Sequence, residues 1–312
     1  MTIAVVSWNT RDLLSACLTS MVEDVEAGRA DVWVVDNGST DGSVAMVRDR
    51  FRWAQVIESE ANLGFGPAVN VVAARTSSPW LAAANADIEL TSGALATLLQ
   101  AGEANPAVGA LAPQLILPDG ASQHSVHPFP TAGAAAAINL RLPKLLPALG
   151  RRLNDEGHLQ TSSPRLVDWA TGAFLLFRRE AFDQAGRFDP EQWMYAEDID
   201  ICWRLRGVGW RTRYEPGARV RHALSAAATV AFGEQMEARL TGARYSWIAR
   251  RRGVRQAWAV AAVNWVGALL RYALSTLFAE RGGRWPERRQ EARTGITLHR
   301  TGLRSRKALS RR

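Results

Sequence analysis

Val32-Trp33-Val34-Val35-Asp36-Asn37-Gly38-Ser39-Thr40-Asp41-Gly42-Ser43 is an apolar run that stops at an acidic, glycine-bearing turn and is followed by helix-like spacing. In this strand, turn and helix unit, Asn37-Gly38 reads as a tight turn and Asp41 or Ser39 as a helix N-cap, which leaves Asp36 to face a ligand. Working outward, Ile3–Trp8, Gln55–Glu58 and Trp80–Asn85 are similar apolar runs. Stretches with helical apolar spacing separate them, such as Leu13, Leu14, Cys17, Leu18 and Met21. This alternation predicts an α/β fold, a mostly parallel central sheet flanked by helices. Open sheets of this kind bind ligands beyond the carboxyl ends of their strands. Three polar clusters occupy those ends: Ser7-Trp8-Asn9, the Asp36–Asp41 turn and Asn85-Ala86-Asp87.

Beyond residue 118 the pattern loosens. From about 118 to 165 the chain is rich in Pro, Gly, His and Ala, including Pro118-Asp119-Gly120, and reads as loops and irregular helix. Strand and helix patterning returns in Ala173–Phe177, Glu180–Ala185, Ile199–Arg206 and Arg211–Glu215, and from Glu234 onward the chain reads as helical. The expected organisation is a catalytic domain over 1–223, with a donor half to about 117 and an acceptor half over 118–223, then a helical extension over 224–283 and a basic, partly disordered tail over 284–312.

With 312 residues, 47% of them hydrophobic, the chain can bury one large core or two modest ones. Cys17 and Cys202 lie far apart without metal-ligand spacing and read as buried apolar residues of a reducing compartment. The N-terminus has no export leader, so a cytoplasmic location is expected. The net charge of +8 is unevenly placed: residues 1–242 hold 21 Lys and Arg against 27 Asp and Glu, whereas residues 243–312 hold 17 against 3. No nucleic-acid-binding motif accompanies this basic segment, so the expected partner is an anionic membrane surface rather than nucleic acid. Ala257–Ala279 carries one charge, Arg271, with Trp258 and Trp265 within it and arginines on both flanks. Asn264, Gly267, Arg271 and Ser275 argue for a helix lying in the interface or packed on the catalytic domain rather than crossing. The protein is therefore expected to be peripheral at the inner face of the plasma membrane.

Four further features carry chemistry. Asn62-Leu63-Gly64-Phe65-Gly66 brings backbone close to something ahead of a helix, but Val69 stands where a dinucleotide fingerprint needs its third glycine. Asp87 ends a central strand, where a carboxylate can hold a hard divalent cation against phosphate oxygens. His222 closes a later strand and gives Asp87 company. In Trp193-Met194-Tyr195-Ala196-Glu197-Asp198-Ile199-Asp200 three carboxylates crowd a helix start, more than its dipole requires. Asp200 pairs with Arg204 at i,i+4 as a structural partner, leaving Glu197 and Asp198 for function.

Taken together with Gly172-Ala173-Phe174-Leu175-Leu176-Phe177 and Gly186-Arg187-Phe188-Asp189, these segments resemble family-2 glycosyltransferases of the nucleotide-diphospho-sugar transferase, or GT-A, fold. Within that family the resemblance is to rhamnosyltransferases of actinobacterial cell-wall linker and O-antigen assembly, and it covers residues 2 to about 223. It implies inverting transfer of a sugar, with dTDP-L-rhamnose as the donor choice, onto a cell-envelope glycan or polyprenyl-diphosphate acceptor. It further implies that Asp36 contacts the nucleobase, that Asp87 and His222 hold Mg²⁺ or Mn²⁺ on the donor diphosphate, and that Asp198, beside Glu197, deprotonates the acceptor hydroxyl. Donor contacts would come from Ser7, Asn9, Asn37, Asn62, Gly64, Asn70 and Asn85, and acceptor contacts from Gly172, Trp193 and Tyr195. Asn85 replaces the first aspartate of the usual pair, and an amide binds metal more weakly. A sugar-1-phosphate nucleotidyltransferase needs a glycine-rich basic loop that Ser7-Trp8-Asn9-Thr10-Arg11 lacks, and a silent scaffold would have lost its base or metal ligand.

Overall fold

The computed structural model describes residues 1–153, 163–192, 194–223, 236–278 and 284–302. In chain order its elements are β1 (Thr2–Ser7), α1 (Arg11–Ser20), α2 (Val22–Glu26), β2 (Asp31–Asp36), α3 (Ser43–Arg50), β3 (Gln55–Glu58), α4 (Phe65–Arg75), β4 (Trp80–Asn85), β5 (Ile88–Leu90), α5 (Ala94–Glu103), β6 (Val108–Ile116) and β7 (Val126–His127). Then follow α6 (Ala132–Asn139), α7 (Leu142–Leu145), α8 (Pro147–Leu153), β8 (Arg165–Val167), β9 (Trp169–Ala170), β10 (Phe174–Arg178), α9 (Arg179–Gln184), α10 (Glu197–Gly207), β11 (Arg211–His222), α12 (Met236–Arg252), α13 (Val254–Leu277) and α14 (Trp285–Gly302). They form two compact units, Met1–His127 with Leu159–Ala231, and Pro128–His158 with Phe232–Arg312. Residues 128–153, expected within the acceptor half, thus group with the C-terminal helices.

The first unit is built on a sheet ordered β3-β2-β1-β4-β10-β6-β11-β5, with β8 beside β11. The four strands read from the first 85 residues pair in parallel as expected. The chain leaves β1 toward β2 and β3, then crosses to β4 on the other side, so a topological switch lies between β1 and β4 at the edge where Ser7 and Asn85 end. β10 enters antiparallel between β4 and β6, which makes the sheet mixed. The strand expected to stop at Glu215 continues to His222, because a register shift between Glu215 and Arg219 absorbs Pro216 and Gly217.

Ile3, Val5, Leu14, Leu18, Val34, Ala82, Phe174 and Leu176 join one apolar core, fully or almost fully buried. Cys17 and Cys202 are free and buried, and that burial pushes both thiols up from their usual range. Asp41, expected as a helix N-cap, sits one residue before the N-cap Gly42 of α3, yet its carboxylate serves the starts of two helices. Its carboxylate accepts the Arg11 amide of α1 at 2.8 Å and the Ser43 amide of α3 at 3.0 Å, amides that have no intrahelical acceptor.

In the second unit, α13 packs against α6, α12 and α14 through small residues, including Ala257, Ala261, Gly267 and Ala268. A Cβ on Gly267 would sit 2.1 Å from Asn139 Oδ1, so this crossing of α6 and α13 requires glycine. Asn139 also donates to Asn264 Oδ1 at 2.9 Å and accepts from Arg271. Residues 285–302, expected in a solvated tail, instead form α14, whose Gly295 lies against the Ala268 methyl and whose Ala292 is buried. Residues 303–312 of that tail lie outside the described residues.

The Asp200 to Arg204 pair exists as read: Asp200 is fully buried and accepts Arg204 Nε at 2.7 Å, while the guanidinium also donates to the Ala185 carbonyl. Removing one partner of a buried pair strands the other, at a loss of about 3–5 kcal/mol. Asp200→Ala should lower unfolding free energy by that order in urea titration; a change below about 1 kcal/mol would show that the pair is dispensable.

Candidate functional site

Parallel pairing aligns Ser7 with Asp36 and Asp36 with Glu58, and pairs Val6 with Asn85, so the polar clusters share the carboxyl edge of the sheet. Asp36, only 3% exposed, accepts the Gly38 and Ser39 amides through Oδ1 at 3.1 and 2.8 Å. Its Oδ2 is buried without a partner. The neighbouring Asn37 donates to the Gly64 carbonyl at 3.3 Å and leaves its own Oδ1 unpaired. Buried polar atoms of this kind are uncommon and expensive unless something satisfies them.

Several side chains assigned to donor contact are committed to the loop frame. Asn9, at φ 51°, donates its main-chain N–H to the Ser39 hydroxyl oxygen and accepts the Thr40 amide on Oδ1, which clamps the first polar cluster to the second. Ser7 Oγ lies 3.1 Å from Thr10 Oγ1. Asn62 accepts the Gly64 amide. Asn70 both donates to and accepts from the Phe188 backbone, at 2.8 and 3.1 Å. The close approach foreseen for this glycine segment is to protein: a Cβ on Gly66 would meet Phe188 Cβ at 2.8 Å.

Asp87 and His222 meet through strand pairing. β5 runs antiparallel to β11 with His222 opposite Ile88, and the Ala223 amide donates to the Asp87 carbonyl. His222 Nε2 stands 3.4 Å from Asp87 Oδ1, and that oxygen has no hydrogen-bond partner. The far ring nitrogen, Nδ1, lies 2.8 Å from Gln123 Oε1. Gln123 was not singled out from the sequence, since it falls in the glycine- and histidine-rich stretch read as loop. Its nearest signal is its place directly after the Pro118-Asp119-Gly120 turn.

The carboxylates of α10 reach the same edge by another route. The Asn85 amide donates to the Ala173 carbonyl at 2.9 Å, and the preceding Gly172 amide donates to Asp198 Oδ2 at 3.1 Å. A Cβ on Gly172 would lie 3.3 Å from the Asp198 Cβ, so this glycine, expected at the acceptor, serves to seat Asp198. Tyr195 and Ala196 have φ of 62° and 63°, a turn disfavoured for side-chain-bearing residues and worth about 1–3 kcal/mol each in strain. The Gln192 side-chain amide holds it by donating to the Tyr195 carbonyl. Trp193 lies outside the described residues.

The chain is similar to known proteins in sequence and in fold. A family model described as Glycosyl transferase family 2 matches residues 2–185, more than half of the chain. The chain belongs to glycosyl transferase family 2. A second model, Glycosyl transferase family group 2, matches residues 151–281 of this family-2 chain. An N-acetylglucosaminyl-diphospho-decaprenol L-rhamnosyltransferase of Mycobacterium tuberculosis is 34% identical over 205 residues, which cover 61% of this chain and 66% of that protein's length. Among solved structures, the mannosyltransferase PcManGT from Pyrobaculum calidifontis, in complex with GDP-Man and Mn²⁺, aligns with a TM-score of 0.61 at 18% identity, over 99% of this chain and 86% of its own. S. aureus TarS 1-349 aligns at 0.51 and 15%, covering 98% and 91%. At such identities the likeness is one of fold, and that fold is GT-A, as the sequence resemblance implied.

Glu197 differs from its neighbour. Burial, and then the charge of Asp198, push its carboxyl up to about 8, and its Oε2 is shielded without a partner. The unfolded chain would ionise this group near 4.5 whereas the folded family-2 chain holds the proton, so stability falls as pH rises from about 4.5 to about 8. Glu197→Gln, which mimics the protonated acid, should flatten that part of the profile. Urea midpoints at pH 5, 6.5 and 8 check it: parallel wild-type and variant slopes would refute the assignment.

Proposed function

We propose that this family-2 chain is an inverting glycosyltransferase moving a sugar from a nucleoside diphosphate onto a lipid-linked glycan. The observation that carries the reading is a pair of buried, unpartnered carboxylate oxygens at one sheet edge, Asp36 Oδ2 and Asp87 Oδ1. A nucleobase N–H would satisfy the first, and a cation bridging to the diphosphate the second. Among the described residues no group of three or more His, Cys, Asp or Glu side chains gathers to hold a metal. Asp87 and His222 nevertheless fit Mg²⁺ or Mn²⁺, because such ions in phosphate-transfer sites take few protein ligands and complete their shell with phosphate oxygens and water. A divalent cation held there would stabilise the charge that grows on the departing diphosphate.

Asp198 is the residue for the acceptor proton. The Gly172 amide fixes one carboxylate oxygen and the Ile199 amide lies 2.7 Å from the other, so the group presents one orientation to an incoming hydroxyl. Retention by double displacement would need a second, nucleophilic carboxylate. Glu197, protonated up to about pH 8, is unsuited to that role, which favours direct inversion. The mycobacterial relative's name supports L-rhamnose as the sugar and a polyprenyl-diphosphate-linked glycan as the acceptor, and dTDP-L-rhamnose is the donor we propose. Asp198→Asn should keep donor binding within a few fold and lose transfer by about 10³ or more; unchanged turnover would refute the base. Turnover of a panel of dTDP-, UDP- and GDP-sugars should be greatest with dTDP-L-rhamnose, and activity with GDP-mannose alone would overturn that choice.

A lipid-linked acceptor calls for membrane contact, and the second unit supports it at the inner membrane face. Trp258, Val266, Leu270, Leu274 and Leu277 lie exposed at helical spacing along α13, and Ile138, Leu140, Leu145 and Leu146 are exposed around α6 and α7. Residues 128–153 and α13 contain no acidic residue, while Arg141, Lys144, Arg152, Arg255 and Arg271 supply cations. Basic, apolar surfaces of this kind adsorb to anionic leaflets, each cation adding about 1 kcal/mol. α13 is long and apolar enough to cross a bilayer, but its polar residues favour a helix lying in the interface. The full chain should float with anionic vesicles at low salt, release as salt screens the attraction, and lose most recovery on Leu270→Glu with Leu274→Glu. Equal flotation of that variant, or none of the wild type, would remove this surface as the anchor.

A further inference from the structure

We propose that Gln123 is a positioning residue for the donor site, setting the tautomer and aim of His222; the inference rests on the reading that His222 and Asp87 share a cation. His222 is 5% exposed, so its ring nitrogens must find partners within the protein or a ligand. Gln123 Oε1 faces Nδ1 at 2.8 Å, and an amide oxygen there takes the Nδ1 proton. In that tautomer of the neutral ring Nε2 carries a lone pair toward Asp87 Oδ1, 3.4 Å away and without a hydrogen-bond partner. Two acceptors facing each other across such a gap repel unless a cation lies between or beside them. In the opposite tautomer Nε2–H would donate to Asp87, and the pair would satisfy itself and have no need of a metal.

The loop is built to hold this amide still. The Gln123 main-chain N–H donates to the Leu115 carbonyl at 2.9 Å, Ser122 bridges to Ile116, and Gln114 Nε2 donates to Ser122 Oγ at 3.2 Å. All three anchors lie on β6, the strand that runs beside β11 with Ile116 opposite Arg221, one residue before His222. Gln123 and His222 are thus registered by the same strand pair. Partners of this kind, behind a ligating imidazole, typically change metal affinity by 10–100-fold when removed.

Three measurements on the full chain test the proposal. With only five histidines in the protein, ¹⁵N spectra of the metal-free wild type should show His222 protonated at Nδ1 and bare at Nε2. Mn²⁺ titration followed by electron paramagnetic resonance, with saturating dTDP, UDP or GDP in parallel, should weaken about 10–100-fold for Gln123→Leu. It should stay within about 3-fold of wild type for Gln123→Glu, whose carboxylate still accepts the Nδ1 proton. A merely structural glutamine would lower the melting temperature in both variants and would not separate them by metal affinity. An Nε2–H tautomer, or Gln123→Leu binding Mn²⁺ like wild type while His222→Ala does not, overturns the role of Gln123. If His222→Ala also binds like wild type, the cation reading itself falls, and this inference with it.

Discussion

One main-chain hydrogen bond, from the Asn85 amide to the Ala173 carbonyl at 2.9 Å, joins the end of β4, two residues before Asp87, to the segment that seats Asp198. It exists because β10 runs antiparallel to β4, so that the start of β10 meets the end of β4 at the carboxyl edge. Had β10 run parallel, Gly172 would sit at the opposite edge, about 17 Å away for a five-residue strand. Strand direction, rather than any side chain, therefore brings the donor edge and the carboxylates of α10 to one place. The second long-range pairing, β5 against β11, does the same for Asp87 and His222.

The sequence exposed the first half of this arrangement and hid the second. Strands β1 and β4 are buried on both faces and β2 nearly so, which turns them into apolar runs, and each ends in a polar cluster that marks the ligand edge, whereas β3 at the sheet edge is only half-buried. The direction of β10 leaves no such mark, since Phe174-Leu175-Leu176-Phe177 would read the same either way. The strand read over Arg211–Glu215 continues past Pro216 and Gly217, because a bulge carries β11 on to His222. Gln123 was illegible for a related reason: its importance comes from a partner 99 residues away, and nothing in its own neighbourhood announces that.

The asparagines show where pattern reading reaches its limit. An amide at a ligand edge and an amide that locks a loop have the same side chain and often the same spacing. Here Asn9 ties two polar loops together and Asn70 grips the Phe188 backbone with both of its groups. Asp36 and Asp87 differ in kind, because each retains a buried oxygen that the protein leaves unsatisfied. On the function proposed above, that residual valence, visible only in three dimensions, is what leaves these two carboxylates available to a ligand.

The helical unit applies the same contrast to a whole surface. In a water-soluble helix the apolar stripe faces inward and the polar residues face out. In α13, Asn264 meets Asn139 within the helical packing, Ser275 is buried and Gly267 receives the side chain from α6, whereas Trp258, Leu270, Leu274 and Leu277 point outward. Arg271, though exposed, turns its guanidinium back to Asn139. The inward contacts are thus made by small side chains and a few polar ones while large apolar side chains stay exposed, an arrangement that surroundings less polar than water would stabilise. Under the membrane contact proposed above, the lack of acidic residues in this helix and in residues 128–153 fits an anionic lipid surface, which would repel such residues and attract the cations.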